Sequence, residues 1–203
     1  MDSRPIKLKA HDFLRKNFNL YVRFKHLRAA TEHVLENTGE KELTVLEIGV
    51  AHGEHAEEIL ETLPVEKLYL VDSYEGVGGY WKDPSNEKEE ALKQAKNRLK
   101  PYGDKIEWIQ RTSDEAVSEV PEGLDYIYID GLHTYEQVKR DIENYWPKLV
   151  EGGFLAGHDC QIDGVFEAVW EHAQRLGRPP KIRCPSTQYP DWLFHKKEDD
   201  SDA

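Results

Sequence analysis

The 203-residue chain is poor in sulfur, since it holds only two cysteines and one methionine. Two cysteines do not suggest a disulfide framework, so Cys160 and Cys184 are expected to be free thiols. No apolar run approaches the roughly 20 residues that cross a bilayer. The N-terminus, residues 1–18, also lacks the apolar core of a signal peptide. These absences predict a cytoplasmic protein that has no membrane association.

Basic residues are in the minority as well. The chain has 27 Lys and Arg against 39 Asp and Glu, which gives a formal net charge of −12. General nucleic-acid binding needs a basic face, so this balance argues against it, although a local basic groove stays open. With 38% hydrophobic and 33% charged residues, the composition is that of a globular protein, and the length suits one sizeable α/β domain.

Hydrophobic periodicity alternates between strand and helix along most of the chain. The predicted helices cover residues 8–37, 54–63, 87–103, 114–120, 134–150 and 164–177. The predicted strands cover residues 44–50, 67–74, 105–112, 124–131, 152–159, 180–186 and 191–197. This alternation indicates a mostly parallel sheet with helices on both faces.

Three segments follow from this pattern. Residues 1–40 form an N-terminal helical segment whose helix could pack on a partner chain, which leaves a homodimer open. Residues 41–197 form the α/β domain, and residues 198–203 form an acidic tail that is expected to be disordered. In sheets of this kind ligands bind outside the carboxyl ends of the strands, and strand ends are therefore the place to look for a site.

The segment YIYIDGLHTY, residues 126–135, ends a buried strand abruptly at Asp130 and Gly131. Asp130 is therefore expected to face the ligand crevice. His133 follows just before the next helix, and three interpretations of it stay open. It could be a general base, a metal ligand, or a ring that bonds a backbone carbonyl and holds the loop.

The first strand runs into a glycine turn in which Glu47, Gly49 and Gly53 are spaced as E-x-G-x-x-x-G. The glycines allow a tight turn and a close approach of ligand to backbone, or they serve helix–strand packing alone. The spacing is neither the dinucleotide fingerprint G-x-G-x-x-G nor a phosphate-binding P-loop. Glu47 would repel a pyrophosphate and would suit a cationic amine.

Other polar residues follow neighbouring strands or the glycine turn. Asp72 ends the second strand, where a carboxylate commonly binds a ribose diol, although it could also cap the following turn. Ser113 and Asp114 follow the third strand and could contact an adenine, with capping of the short helix by Ser113 as the alternative. His52 and His55 are expected on the solvent side of the helix after the glycine turn, with His52 also a candidate for cofactor contact.

Together these residues, and the block DYIYIDGLHTYEQVKRDIENYWPKLVEGGFLAGHDC, resemble class I S-adenosylmethionine-dependent methyltransferases over about residues 40–197. Within that class they resemble small-molecule methyltransferases with Asp-Gly-x-His-x-Tyr and Gly-His-Asp motifs. The resemblance implies a Rossmann-like fold of about seven strands and S-adenosyl-L-methionine as cofactor. It implies further that the glycine turn lies against the methionine part, Asp72 holds the ribose, Ser113 or Asp114 lies by the adenine, and Asp130 lies near the cofactor amine and the reacting centre.

Catechol O-methyltransferases are a more distant resemblance, and they bind magnesium through an Asp after the fourth strand and an Asp-Asn pair after the fifth. The corresponding residues here are Asp130, His158 and Asp159, which implies a divalent-metal site. An imidazole in place of a carboxylate is unusual for magnesium and suits manganese, iron, zinc or nickel better.

The leading hypothesis is O-methylation of a small hydroxylated acceptor, a sugar or natural product, assisted by magnesium or manganese. Two other hypotheses stay open. A non-haem iron hydroxylase would use His133, His158 and a carboxylate, and a binding module would keep the cofactor pocket without turnover. The loop at residues 75–87, with Tyr80 and Trp81, could close over the crevice as a lid.

Overall fold

The computed structural model describes residues 28–75, 84–183 and 190–200. The helices are α1 Ala29–Thr38, α2 Glu54–Thr62, α3 Pro84–Leu99, α4 Ser113–Ala116, α5 Tyr135–Tyr145 and α6 Asp163–Arg175. The strands are β1 Leu43–Ile48, β2 Val65–Val71, β3 Ile106–Ile109, β4 Leu124–Ile129, β5 Leu149–Gly157, β6 Lys181–Arg183 and β7 Asp191–His195. The expected lid residues Tyr80 and Trp81, and Cys184, lie outside the described residues, whereas Cys160 is a buried free thiol.

The seven strands form one sheet in the order β3-β2-β1-β4-β5-β7-β6. The first five in this order are parallel, and β7 is inserted antiparallel between β5 and β6. The chain reverses its direction of winding between β1 and β4, so the crevice of the fold lies at the carboxyl ends of these two strands. This sheet confirms the predicted Rossmann-like, mostly parallel architecture.

The sheet is buried on both faces, and strand β4 shows how its side chains divide. Ile127 and Ile129 point to the face covered by α4, α5 and α6, and Tyr126 and Tyr128 point to the face covered by α1, α2 and α3. All four are almost inaccessible to solvent. Successive side chains on a strand alternate between faces, so β4 contributes aliphatic residues to one core and phenols to the other.

The C-terminal end of the described chain differs from the sequence-based picture, whereas the N-terminal helix agrees with it where it is described. Of the helix predicted for residues 8–37, the described part is α1, and residues 1–27 lie outside the description. Of the predicted disordered tail at residues 198–203, Glu198–Asp200 form a short 3-10 helix, and residues 201–203 lie outside the description. The reason is that Asp200 is buried and paired with Arg178, while its carbonyl accepts a hydrogen bond from the Trp146 indole at 3.4 Å.

Among the described helices, none combines the length and the apolar character that a bilayer-crossing segment requires. The long helix α3 carries charged side chains along much of its length. The finding is consistent with the low hydrophobic content that the sequence shows.

Candidate active site

The glycine turn after β1 is shaped by close packing. Gly49 has a φ of 87°, and a Cβ there would stand 2.1 Å from the carbonyl oxygen of Asp130. Gly53 has a φ of 73°, and a Cβ there would press on Ala95 of helix α3 at 3.2 Å. Both positions therefore exclude larger side chains whatever ligand is bound. Contact between these glycines and a cofactor stays a prediction.

Asp72 ties the glycine turn to the loop after β2. Its Oδ2 accepts hydrogen bonds from the backbone amides of Val50 at 2.9 Å and Ala51 at 3.0 Å, and its Oδ1 accepts one from Tyr74 at 2.8 Å. Ala51 and Tyr74 have φ values of 46° and 53°, a conformation that side-chain-bearing residues rarely adopt. The turn-capping role of Asp72 is confirmed, and the ribose contact stays a prediction.

Ser113 and Asp114 are held by helix α5. Ser113 Oγ donates to Asp141 Oδ1 at 2.6 Å, and Asp114 pairs with Arg140 at 3.2 Å. The cap of α4 is Thr112, in a capping box with the third residue of the helix, so the alternative of capping by Ser113 is wrong. The predicted adenine contacts remain untested.

Asp130, His133 and Asp159 come together at the crevice. Each offers a ligand atom, and these atoms all lie within 4.8 Å of one another. His133 Nε2 is 3.4 Å from Asp130 Oδ1 and 3.6 Å from Asp159 Oδ2. Asp130 directly follows β4 and Asp159 follows β5, so adjacent parallel strands deliver the two carboxylates. This trio is called the DHD cluster below.

His158 lies beside the DHD cluster and was, with His133, one of the two histidines that the sequence offered as metal ligands. Its Nδ1 is 3.2 Å from Asp159 Oδ1 and 3.9 Å from Asp130 Oδ1, and its Nε2 is 4.0 Å from Asp191 Oδ1. The ring is thus placed among three carboxylates, and the group whose ligand atoms all lie within 4.8 Å of one another contains His133 and does not include His158. The structure therefore favours His133 over His158 in any metal-binding set.

Mutual electrostatics set the charges of the DHD cluster. The hydrogen bond to Asp130 raises the pKa of His133 above its ordinary value of 6.5. Burial alone would raise the pKa of Asp159, but hydrogen bonds from His158 and Gln161 lower it to about 2. An imidazolium between two carboxylates relieves their repulsion. A metal ion bound there would replace that proton, because a ligating histidine must be neutral.

Glu47 and His55 lie beneath the glycine turn. Glu47 is 1% exposed, and its Oε1 is 3.0 Å from His55 Nδ1, while His55 Nε2 is 3.0 Å from Thr31 Oγ1. Burial raises the pKa of Glu47 well above its usual range and lowers that of His55 to about 4. The prediction of a solvent-facing His55 is wrong, because this side of α2 packs under α1; His52 is half-buried.

Glu47 Oε2 is buried and has no hydrogen-bond partner among the described residues. A buried carboxyl oxygen without a partner is unfavourable, and a cationic amine bound by the glycine turn would supply one. The residues present therefore fit a ligand with the charge that the sequence suggested for this position.

Two residues at the crevice escaped the sequence analysis. Arg28 Nη2 lies 3.2 Å from Asp130 Oδ2. Asp191 is buried at the start of β7, where it accepts hydrogen bonds from the Tyr128 hydroxyl and the Ala30 amide, both at 3.0 Å. In the sequence, Arg28 resembles the other basic residues of a predicted surface helix. Asp191 is the first residue of the last predicted strand. Contacts between segments that are distant in sequence bring them to the site.

Comparison with known proteins agrees with this architecture. A family profile described as "Methyltransferase domain" matches residues 46–160, which is more than half of the chain. The uncharacterized protein R132 of Acanthamoeba polyphaga mimivirus is 28% identical over 166 residues, covering 79% of this chain and 70% of that protein.

Solved structures share the fold at low identity. An rRNA methylase from Streptococcus thermophilus has a TM-score of 0.61 at 18% identity, covering 83% of this chain and 94% of its own. The O-methyltransferase NovP has a TM-score of 0.59 at 17% identity, with coverages of 83% and 77%. A Streptococcus mutans protein assigned as a methyltransferase, solved in complex with SAH, has a TM-score of 0.58 at 16% identity, with coverages of 97% and 99%. By the profile match, and in keeping with the glycine turn and sheet order, the chain belongs to this methyltransferase-domain family.

Proposed function

We propose that this protein is an S-adenosylmethionine-dependent O-methyltransferase that acts on a small hydroxylated acceptor, a sugar or natural product, with help from a divalent metal. The observation that carries the proposal is the convergence of Asp130, His133 and Asp159 beside the glycine turn. The cluster lies at the switch point of the sheet, where a cofactor held by the β1 and β2 loops would meet an acceptor held by the β4 and β5 loops.

The cofactor side rests on three features of the described chain. Glu47 has a buried carboxyl oxygen with no hydrogen-bond partner among the described residues. The turn at Gly49 has no room for a side chain, and Asp72 directly follows β2. The SAH complex of the Streptococcus mutans neighbour shows that this fold accepts such a ligand. When bound, S-adenosylmethionine supplies an electrophilic methyl carbon. The protein then has to align the acceptor and receive its proton.

The acceptor side rests on the DHD cluster. Two carboxylate oxygens and one imidazole nitrogen suit manganese better than magnesium, which prefers an all-oxygen shell. Asp130, His133 and Asp159 would hold the ion, and the ion would lower the pKa of an acceptor hydroxyl. Without a metal, His133 in its neutral form is the residue placed to take that proton.

Two alternatives are weaker on this geometry. A non-haem iron hydroxylase needs two histidines and one carboxylate, whereas the converging set in the described part of the chain has one histidine and two carboxylates. Oxygen consumption with ferrous iron would identify that activity. A binding module would bind cofactor and show no turnover on any acceptor.

The decisive experiment couples binding to turnover. Calorimetric titration is expected to show binding of S-adenosylmethionine and S-adenosylhomocysteine (SAH) and none of NAD. Transfer of a labelled methyl group to a panel of sugars and phenols should stop in excess chelator and return with manganese or magnesium. Asp159→Asn should mimic the chelator, whereas Asp163→Asn, an exposed residue four positions on, should not. Full activity in chelator would reject the metal and leave His133 as general base.

A further inference from the structure

We infer that Arg28 limits the metal affinity of the DHD cluster: its guanidinium binds one oxygen of Asp130, leaves the other oxygen to face the cluster, and places a permanent positive charge beside any cation bound there. The inference rests on the proposed function to the extent that the cluster takes a divalent metal. It concerns how that metal would share Asp130 with a cation that the chain already provides.

The carboxylate of Asp130 is divided between two sets of partners. Oδ2 faces Arg28 Nη2 at 3.2 Å, and Oδ1 faces His133 Nε2 at 3.4 Å and His158 Nδ1 at 3.9 Å. Asp130 is only partly exposed, and its backbone is fixed against Gly49. Tilting of the carboxylate plane would break the Arg28 contact, so the guanidinium helps to hold the group with one oxygen directed to the cluster.

Arg28 is itself anchored by residues that belong to other elements. Its backbone amide donates to the Glu58 carboxylate, and two residues later the Ala30 amide donates to Asp191 Oδ2 at 3.0 Å. Its guanidinium carbon lies 5.9 Å from the centre of the Tyr128 ring. The first amides of a helix have no partners within the helix, and here distant carboxylates satisfy two of them. The first turn of α1 is thereby held against the crevice.

The charge of Arg28 predicts a specific consequence. A guanidinium stays protonated at all working pH values, so a metal at the cluster must bind Asp130 against a permanent neighbouring positive charge. Removal of that charge should strengthen metal binding, because like charges a few ångströms apart repel in a partly buried site. A residue with a merely structural role would behave in the opposite way, since its loss would loosen the site and weaken binding.

The test is calorimetric titration of the full chain with Mn²⁺ alone. Arg28→Gln keeps a hydrogen-bond donor and removes the charge, and it should bind Mn²⁺ about tenfold more tightly than the wild type. Arg28→Lys keeps the charge and should stay within about threefold of the wild type. Arg175→Ala is the matched control, because Arg175 forms a part-exposed ion pair with Glu143 on helices α5 and α6 at 3.1 Å. It should leave Mn²⁺ affinity unchanged.

Unchanged or weaker Mn²⁺ binding by Arg28→Gln would overturn the inference, and so would the absence of Mn²⁺ binding in wild type and both Arg28 variants. Binding that appears only in Arg28→Gln would support it. Titration with SAH and methyl transfer by the wild type report on the proposed transferase separately. If these succeed in chelator while no variant binds Mn²⁺, the role of Arg28 fails and the transferase stands.

Discussion

Two buried histidines, one on each face of the sheet, have similarly lowered pKa values but different surroundings. Burial lowers the pKa of His55 and of His172 to about 4. His55 has a partner at each ring nitrogen, Glu47 and Thr31, both at 3.0 Å. His172 Nε2 has none in the described part of the chain, and its ring packs edge-on in an aromatic cluster. An altered pKa alone therefore does not mark a functional histidine; the neighbours do.

The same contrast extends along strand β4. Ile127 and Ile129 point to the face of the sheet on which His172 lies. Tyr126 and Tyr128 point to the face on which His55 lies. The Tyr126 hydroxyl lies 3.2 Å from Thr31 Oγ1, and Tyr128 donates to Asp191 at 3.0 Å. One face supplies stability through apolar burial. The other carries a buried polar network that supports the crevice, and the following predictions separate the two.

The largest effect is expected at the end of β4 itself. Asp130→Asn removes the charge that faces both Arg28 and His133, so methyl transfer should fall about 10²–10³-fold, or about 3–4 kcal/mol in activation free energy. The melting temperature should change little, because Asp130 is partly exposed. Steady-state kinetics on an accepted acceptor measure this. Activity within tenfold of wild type would show that Asp130 does not act in the reacting centre.

Two matched substitutions on β4 test whether one face of the sheet contributes mainly to stability and the other also to activity. Ile127→Ala leaves a cavity in the apolar face and should lower the free energy of unfolding by about 2–4 kcal/mol, with unchanged activity per folded molecule. Tyr128→Phe leaves Asp191 short of one buried hydrogen bond and should cost about 1–2 kcal/mol. Its activity should fall, because Asp191 also faces His158 and anchors α1.

Denaturant unfolding and specific activity, measured on the same preparations, distinguish the two outcomes. Equal loss of specific activity in Ile127→Ala and Tyr128→Phe would show that the two faces do not differ in their contribution to activity. Activity loss confined to Tyr128→Phe would strengthen it.

The fold was accessible from sequence because periodicity and strand ends report on local structure. The alternation of strands and helices predicted the parallel sheet, and the residue after β4 was correctly expected at the crevice. Asp130 and Asp159 could be grouped because adjacent parallel strands end at the same edge, whereas the sequence left the choice between His133 and His158 open.

The rest depended on contacts between distant segments. Arg28 reaches Asp130 across about half the chain, and Asp191 enters the site because β7 is inserted beside β5. His55 was misjudged because helical spacing does not reveal that α1 covers that side of α2. Asp200 was misjudged because an acidic tail has no local signal for its partner Arg178.

Substitution of Asp72 should have an intermediate effect. Asp72→Ala removes three hydrogen bonds that hold Ala51 and Tyr74 in unfavourable conformations, so SAH affinity should fall about ten- to a hundredfold, or about 1.5–3 kcal/mol. The loss of these bonds should also lower the free energy of unfolding by about 1–2 kcal/mol. Asp72→Asn keeps one acceptor oxygen, so its SAH affinity and its stability should lie between those of Asp72→Ala and the wild type.

Calorimetric titration with SAH and thermal unfolding measure both quantities. Unaltered SAH affinity in Asp72→Ala would remove Asp72 from the cofactor site. Lost affinity with unaltered stability would assign it to ribose binding more than to the turn.

The smallest effect returns to the two histidines. His172 has a pKa of about 4 in the folded protein and about 6.5 when unfolded, so the unfolded chain takes up a proton first as the pH falls. The stability due to neutral His172 is complete above about pH 6.5 and is lost toward pH 4, about 1–2 kcal/mol of it between pH 8 and pH 5. His172→Phe fills the same place among Trp146 and Phe194 and cannot titrate. Its unfolding free energy should therefore depend less steeply on pH, with the remaining slope due in part to His55. Denaturant unfolding at pH 5, 6.5 and 8 measures this, and identical slopes in both proteins would show that His172 takes up its proton without unfolding.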